Sequence, residues 1–180
     1  LFEAENGILT VVAVDGYRLA LRREALENTQ GQAYSFVVPG TALAEVEKIT
    51  SDSDKNVEIT LGTKHIMFKM GNTILVSRRL EGEFLNYKNS IPKNGKYSIR
   101  ADKRSIIDAI ERVSLIISDK QKSPVRCVFD ENELNLCTIT PLGKATDKCD
   151  ISGDGEGLEI GFNNKYILDA LKAAPSNEVY

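Results

Sequence analysis

The sequence predicts an α+β protein whose helices cover one face of antiparallel sheets. Three observations carry that prediction. A strand–turn–helix pattern occurs three times at a spacing of about sixty residues, the kind of self-similarity that marks a repeated unit. Between the copies, apolar and polar residues alternate with a period of two, as in half-buried strands. Turn residues separate those alternating stretches at hairpin spacing. Amphipathic helices interleaved with meanders bury their apolar faces together in two layers.

The elements follow in chain order. Ile8 to Val14 alternates as a strand, turns at Asp15-Gly16, and returns from Leu19 to Arg23. The first copy of the repeat is Tyr34 to Pro39, leading into a helix from about Thr41 to Ile49. Pro39 suits that position because its fixed φ is already helical. Val57 to Leu61 and His65 to Met70 alternate again, and Gly71-Asn72 turns the chain into Thr73 to Arg79. The second copy is Tyr97 to Asp102, followed by a helix from about Lys103 to Ile116. A third meander runs from Val125 to Ile151, with turns at Glu131-Asn132 and Leu142-Gly143. The last copy is Leu158 to Asn163 with a helix from about Lys165 to Ala173. Asp102 and Asn163 are of the residue types that cap helix N-termini, because a short side-chain oxygen reaches the unpaired N–H groups of the first turn. The polar, turn-rich stretch Pro92 to Lys96 reads as a linker. It divides the chain into domains at 1–95 and 96–180.

Composition narrows the function classes. The chain has 180 residues, 42% hydrophobic, enough for packed cores. No apolar run approaches the roughly 20 residues that span a bilayer, and Glu3 and Glu5 stand where a secretory leader carries basic residues. No membrane partner and a cytoplasmic setting are therefore expected. The chain starts without Met and in what reads as mid-strand sequence, so both ends are expected to be cuts in a longer protein. Cys127, Cys137 and Cys149 are odd in number and lack a Cys-x-x-Cys pair. They suit small strand residues in a reducing compartment better than a disulfide framework or a zinc site. The net charge of −3 argues against a compact sequence-specific DNA-binding domain, which is ordinarily basic.

No catalytic constellation presents itself. His65 is the only histidine and lies in an alternating strand without a nucleophile partner. No phosphate-cradling glycine loop occurs. Gly153-Asp154-Gly155-Glu156-Gly157 lacks the ligand spacing of a calcium loop and is expected to be a flexible strand connection. No cofactor or metal is expected, and no enzyme.

At Val14-Asp15-Gly16-Tyr17-Arg18-Leu19-Ala20 the sequence resembles the TDG(H/Y)RLA segment of the bacterial sliding clamp family, the beta subunit of DNA polymerase III. Further segments resemble it in colinear order. Val37-Val38-Pro39 stands before a helix as in the family's second domain. Arg79-Leu80-Glu81-Gly82-Glu83-Phe84-Leu85-Asn86-Tyr87 with Ile91-Pro92 is similar to its R-L-I-E-G-x-F-P-x-Y segment. Ile160-Gly161-Phe162-Asn163 with Tyr166 to Leu171 is similar to its third-domain G-F-N-x-x-Y-x-x-D-x-L helix entry.

The resemblance implies most of a clamp's second domain and the first part of its third. It implies a clamp fold, and a non-catalytic processivity factor of the polymerase holoenzyme. In the family a homodimeric ring of six similar domains encircles duplex DNA and slides without reading bases. Lys48, Lys103, Arg104, Arg112, Lys165 and Lys172 are the implied DNA-facing residues; a solvated helix face is the competing reading for each. Polymerase, clamp loader and repair proteins insert a linear peptide into a pocket between the family's second and third domains. Val14, Gly16, Tyr17, Arg18 and Leu19 are implied as one wall, and Leu85, Asn89 and Ser90 as the other. A plain hairpin at Asp15-Gly16 is the alternative. Leu115 and Ile116 match the family's subunit contact, against an alternative as helix core. Val14 stands where the family commonly has Thr, Leu85 where it often has Pro, and Asn89 and Ser90 where Arg and a β-branched residue are common. A nucleoid-associated bacterial protein follows from the same resemblance. A generic β-rich protein-interaction module of another fold is the competing function.

Overall fold

The computed structural model describes residues 1–26, 31–50, 56–118, 120 and 123–180. The chain divides into two compact units, Leu1–Ile91 and Pro92–Tyr180.

The first unit contains strands β1 (Phe2–Glu5), β2 (Ile8–Val14), β3 (Leu19–Ala25) and β4 (Tyr34–Phe36), then helix α1 (Gly40–Ile49). Strands β5 (Glu58–Leu61), β6 (His65–Met70) and β7 (Thr73–Arg78) follow, and a 3-10 turn (Tyr87–Asn89) closes it. One antiparallel sheet has the order β3-β2-β1-β4 and a second the order β5-β6-β7. Alternation places Phe2, Phe36, Ile66, Phe68 and Met70 on the buried faces, joined by Val38. Rings of Phe2 and Phe36 stack 5.2 Å apart. Leu43 and Val46 of α1 pack onto this core from one side.

The link from β1 to β2 escaped the sequence reading. Asn6 and Gly7 both take left-handed backbone, with φ of 52° and 76°, between the paired residues Glu5 and Ile8. This is the two-residue turn that Asn-Gly favours, because asparagine tolerates and glycine freely adopts positive φ. The dipeptide was the available signal.

The second unit contains β8 (Ser98–Asp102), α2 (Lys103–Ser114), β9 (Val125–Phe129), β10 (Glu133–Thr140), β11 (Gly143–Asp154), β12 (Leu158–Phe162), α3 (Asn164–Ala173) and β13 (Glu178–Val179). Its sheet order is β12-β9-β10-β11-β8-β13. Ile106, Ala109, Ile110 and Val113 form the buried stripe of α2, at the three- and four-residue spacing that keeps side chains on one helix face. They meet Val125, Cys127, Leu134 and Leu136 of the sheet and Leu171 of α3. Both expected N-caps are present. Asp102 accepts from the Ser105 N–H at 2.8 Å, and Asn163 accepts from the Lys165 and Tyr166 N–H groups at 3.0 and 3.3 Å. Burial pushes the Cys127 thiol up to about 12 and the Cys149 thiol up to about 11, so both are uncharged at neutral pH.

The two units share a plan. The order β4-β1-β2-β3 in the first repeats as β12-β9-β10-β11 in the second, with α1 and α3 following the equivalent strands β4 and β12. In the second unit β8 lies between β11 and β13; among the described residues, the corresponding β3 and β5 of the first unit are edges of separate sheets.

Several expectations are corrected. The second helix ends at Ser114, short of Ile116, and the first and third begin one residue earlier than expected, at Gly40 and Asn164. Of the glycine-rich stretch expected as a flexible strand connection, only Gly155 to Gly157 join β11 to β12. Gly153 and Asp154 extend β11 opposite Ile99 and Ser98, and Gly155 is buried. Among the described residues no helix is long and apolar enough to cross a membrane.

Candidate functional site

The Asp15 turn is built by a carboxylate rather than by its glycine. Val14 pairs with Leu19 at the end of β2 and β3, leaving Asp15 to Arg18 as a four-residue loop. The Asp15 N–H donates to the Arg18 carbonyl at 3.1 Å. Asp15 Oδ1 accepts from the Tyr17 and Arg18 N–H groups at 2.9 and 3.0 Å, and Oδ2 accepts from Arg18 Nε at 2.8 Å. An aspartate that bonds backbone two residues on is a known turn former. Gly16 is not what shapes the turn: its φ is not left-handed and a Cβ there would meet nothing within 4 Å.

The Tyr17 N–H, and then Arg18, hold the Asp15 carboxyl below the usual carboxylate range. A depressed carboxyl stabilises above its unfolded value and loses that effect as pH falls through its folded value. The turn is therefore expected to be fully braced above about pH 4 and to loosen in stronger acid. Asp15→Asn keeps an oxygen for the two N–H groups but loses the ion pair; Asp15→Ala loses both. Amide exchange at Tyr17 and Arg18 is expected to rise in the order wild type, Asp15→Asn, Asp15→Ala. Equal rates in all three would refute this account of the turn.

What the turn presents is apolar. Val14 and Leu19 share a sheet face with their neighbours Val12 and Leu21, because alternate residues project together. Val12 is fully buried while Val14 and Leu19 are half-buried, so burial fades toward the loop on this face, which is opposite the one whose Phe2 and Val11 pack in the core. Tyr17 in the loop is 83% exposed.

The other candidate wall is the segment around the 3-10 turn. Leu85 is 50% exposed, and Asn89 and Ser90 are exposed. A cleft of about 480 Å³ is lined by Glu3, Phe36, Val37, Leu80, Phe84 and Leu85, among others; of the eight residues expected to bind peptide, only Leu85 borders it. Tyr87, which the sequence marked only as part of a motif, is 3% exposed, and its hydroxyl donates to Glu3 Oε2 at 2.6 Å. That hydrogen bond raises the phenol above its usual range.

The six basic residues have different surroundings. Lys48 pairs with Glu45 at 2.7 Å, Lys172 with Glu111 at 2.7 Å, and Arg112 with Asp147. Lys103 Nζ donates to the Ala174 carbonyl at 3.0 Å, where a cation offsets the partial negative charge at the end of α3. Arg104 lies 3.9 Å from Asp108 with its side chain 90% exposed. Lys165 is exposed in the first turn of α3. Arg104 thus has a more open side chain than Lys48, Arg112 or Lys172, and Lys103 has a structural role.

Leu115 caps α2 and is 83% exposed, which removes the helix-core reading for it; Ile116 is half-buried. Leu115 borders a shallow depression of about 280 Å³ with Asp108, Glu111 and Arg112. Nearby, β11 pairs with β10 along 143–150, while β8 covers only 151–154 of its other side. Among the described residues the second edge of 143–150 is open. No cluster of metal-ligating side chains occurs among the described residues.

Comparison with known proteins places both units. Residues 1–86 match the family described as DNA polymerase III beta subunit, central domain, and residues 88–180 match its C-terminal domain. The chain is 33% identical to the beta sliding clamp of Halalkalibacterium halodurans, over 99% of this chain and 48% of that protein. It is 32% identical to the beta sliding clamp of Staphylococcus aureus, over 95% and 46%. The DNA polymerase sliding clamp of Bacillus subtilis superposes with a TM-score of 0.91 at 30% identity, covering 98% of this chain and 47% of that one. A Pseudomonas aeruginosa sliding clamp bound to griselimycin superposes with a TM-score of 0.89 at 26% identity, covering 98% and 48%. The chain spans about half the length of the relatives it matches.

Proposed function

We propose, because this chain belongs to the DNA polymerase III beta subunit family, that it is part of a processivity clamp rather than an enzyme. Within a longer protein residues 1–95 act as the middle domain and residues 96–180 as the C-terminal domain, each in part; the compact units themselves divide at Ile91 and Pro92. The observation that carries this reading is the ordered match of both units to the central and C-terminal domains, on a fold whose strand order repeats. A protein that retains DNA by topology needs neither a catalytic cluster nor a basic overall charge, which agrees with the net charge of −3.

In the longer protein a homodimeric ring encircles duplex DNA. Leu115, Ile116 and the open edge of β11 serve the contact between copies, where an exposed leucine and unpaired strand groups both gain by being covered. Polymerase, clamp loader and repair proteins dock through linear peptides. Their apolar side chains would meet Val14, Tyr17 and Leu19, and their polar groups Gly16 backbone and Arg18, with Leu85, Asn89 and Ser90 completing the contact. The griselimycin complex of the Pseudomonas relative supports a ligand-binding surface in this family. The protein works in the bacterial cytoplasm, at the nucleoid.

Topological retention supplies the test. The longer protein, loaded on nicked circular DNA, is expected to stay bound and to be lost when the circle is linearised. Equal loss from circles and linear DNA would sink the clamp reading. Replacing Lys48, Lys103, Arg104, Arg112, Lys165 and Lys172 by Ala is expected to speed loss only about five-fold, because most of these cations already have partners and contribute weakly to phosphate binding. Unchanged retention would remove the DNA-facing assignment while leaving the ring intact.

A further inference from the structure

We infer that Tyr87 and Glu3 form a strut that positions the second wall of the docking surface. The inference rests on the docking reading above. Leu85, Asn89 and Ser90 lie on a short segment that belongs to no sheet. Its internal bonds are local: Tyr87 N–H to the Leu85 carbonyl at 2.8 Å, Asn89 N–H to Asn86 at 3.3 Å, and Ser90 N–H to Tyr87 at 2.9 Å. Such a turn holds its own shape but has nothing in those bonds to fix its place on the unit. Upstream, the Leu80 N–H bonds the Val37 carbonyl at 3.0 Å, five residues before Leu85, and Tyr87 anchors the segment beyond it. Its ring is buried, and its hydroxyl reaches Glu3 at 2.6 Å across 84 residues of sequence.

Glu3 is well chosen as the other end. It sits in the middle of β1, paired to Thr10 of β2 on one side and Ser35 of β4 on the other. Strand β2 is the one that runs on to Val14 and the Asp15 loop. One hydrogen bond therefore ties the segment of Leu85, Asn89 and Ser90 to the strands that carry the first wall. A bond to a charged acceptor is stronger than a neutral one, and breaking it leaves a buried hydroxyl without a partner. Tyr87 is a positioning residue in this account and makes no contact with the docked peptide.

Amide exchange and griselimycin binding, both on the whole chain, decide the matter. Tyr87→Phe keeps the ring and removes the bond; Glu3→Ala removes the acceptor; Glu3→Gln keeps an acceptor oxygen. Exchange at Asn89 and Ser90 is expected to rise about ten-fold in Tyr87→Phe and Glu3→Ala, to return near wild type in Glu3→Gln, and to stay unchanged at Ile66 and Phe68. Unchanged exchange at Asn89 and Ser90, or an equal rise in the core, overturns the strut. Where wild type binds griselimycin, Tyr87→Phe is expected to bind it at least about five-fold more weakly; equal affinity overturns the positioning role. Absence of wild-type binding counts against the docking reading alone, and the exchange result still decides the strut.

Discussion

Replacing Gly153 by Ala is expected to destabilise the second unit by about 3 kcal/mol, in the upper range for single substitutions. Two costs coincide there. The backbone φ is +118°, a conformation open to glycine and strained for any residue with a Cβ. A Cβ would also stand 2.2 Å from the Ser98 carbonyl oxygen, and that oxygen belongs to the strand paired with β11. Because the obstacle is backbone, relief requires β8 to move away from β11, and β8 also carries β13. Two other glycines separate the causes. Gly157 has a φ of +80° but nothing within 4 Å of a Cβ, so Gly157→Ala should show strain alone, about 1 kcal/mol. Gly16 has neither, and Gly16→Ala should leave stability nearly unchanged. Urea unfolding followed by circular dichroism reads all three. A Gly153→Ala loss no larger than that of Gly157→Ala would show that the close approach to Ser98 is not a constraint.

Tyr17→Ala in the longer protein is expected to weaken griselimycin or polymerase-peptide binding about thirty-fold, the effect of a hot-spot aromatic worth about 2 kcal/mol. Tyr17 is 83% exposed, so a partner that covers it removes a large apolar ring from water. The loop is shaped by the Asp15 carboxylate and the main chain, and truncating Tyr17 leaves that scaffold in place. Binding loss without a change in thermal unfolding is thus the signature of a direct contact. Leu85→Ala is expected to cost less, about five-fold, because half of that side chain already packs on its own unit. Wild-type affinity in Tyr17→Ala would take this turn out of the docking surface.

The two predictions differ in how visible their residues are in the chain. Tyr17 was singled out because it stands in a local signature, Val14 to Leu19, that can be read without knowledge of the fold. Gly153 was misread because the need for glycine arises from Ser98, more than fifty residues away. Tyr87 was legible as a motif letter and silent as a strut, since Glu3 lies at the far end of the unit's sequence. The basic residues show the same limit. Lys103 reads as a helix-face cation, yet it reaches the end of α3. Leu115 reads as the next step of an amphipathic helix, yet α2 stops at Ser114 and leaves it outside.

Local chemistry was therefore sufficient for the class of the protein. Period-two alternation, the spacing of helix stripes, Asp102 and Asn163 as caps, and the ordered motif segments are properties of neighbouring residues, and short-range sterics and hydrogen bonding decide them. Folding added what depends on residues distant in sequence. It decided that a carboxylate and not a glycine shapes the Asp15 turn, that Gly153 is a packing constraint, and that Glu3 and Tyr87 meet. It also decided which cations are already paired. Those outcomes follow from strand register and inter-element contact, which bring together groups that no window along the chain contains.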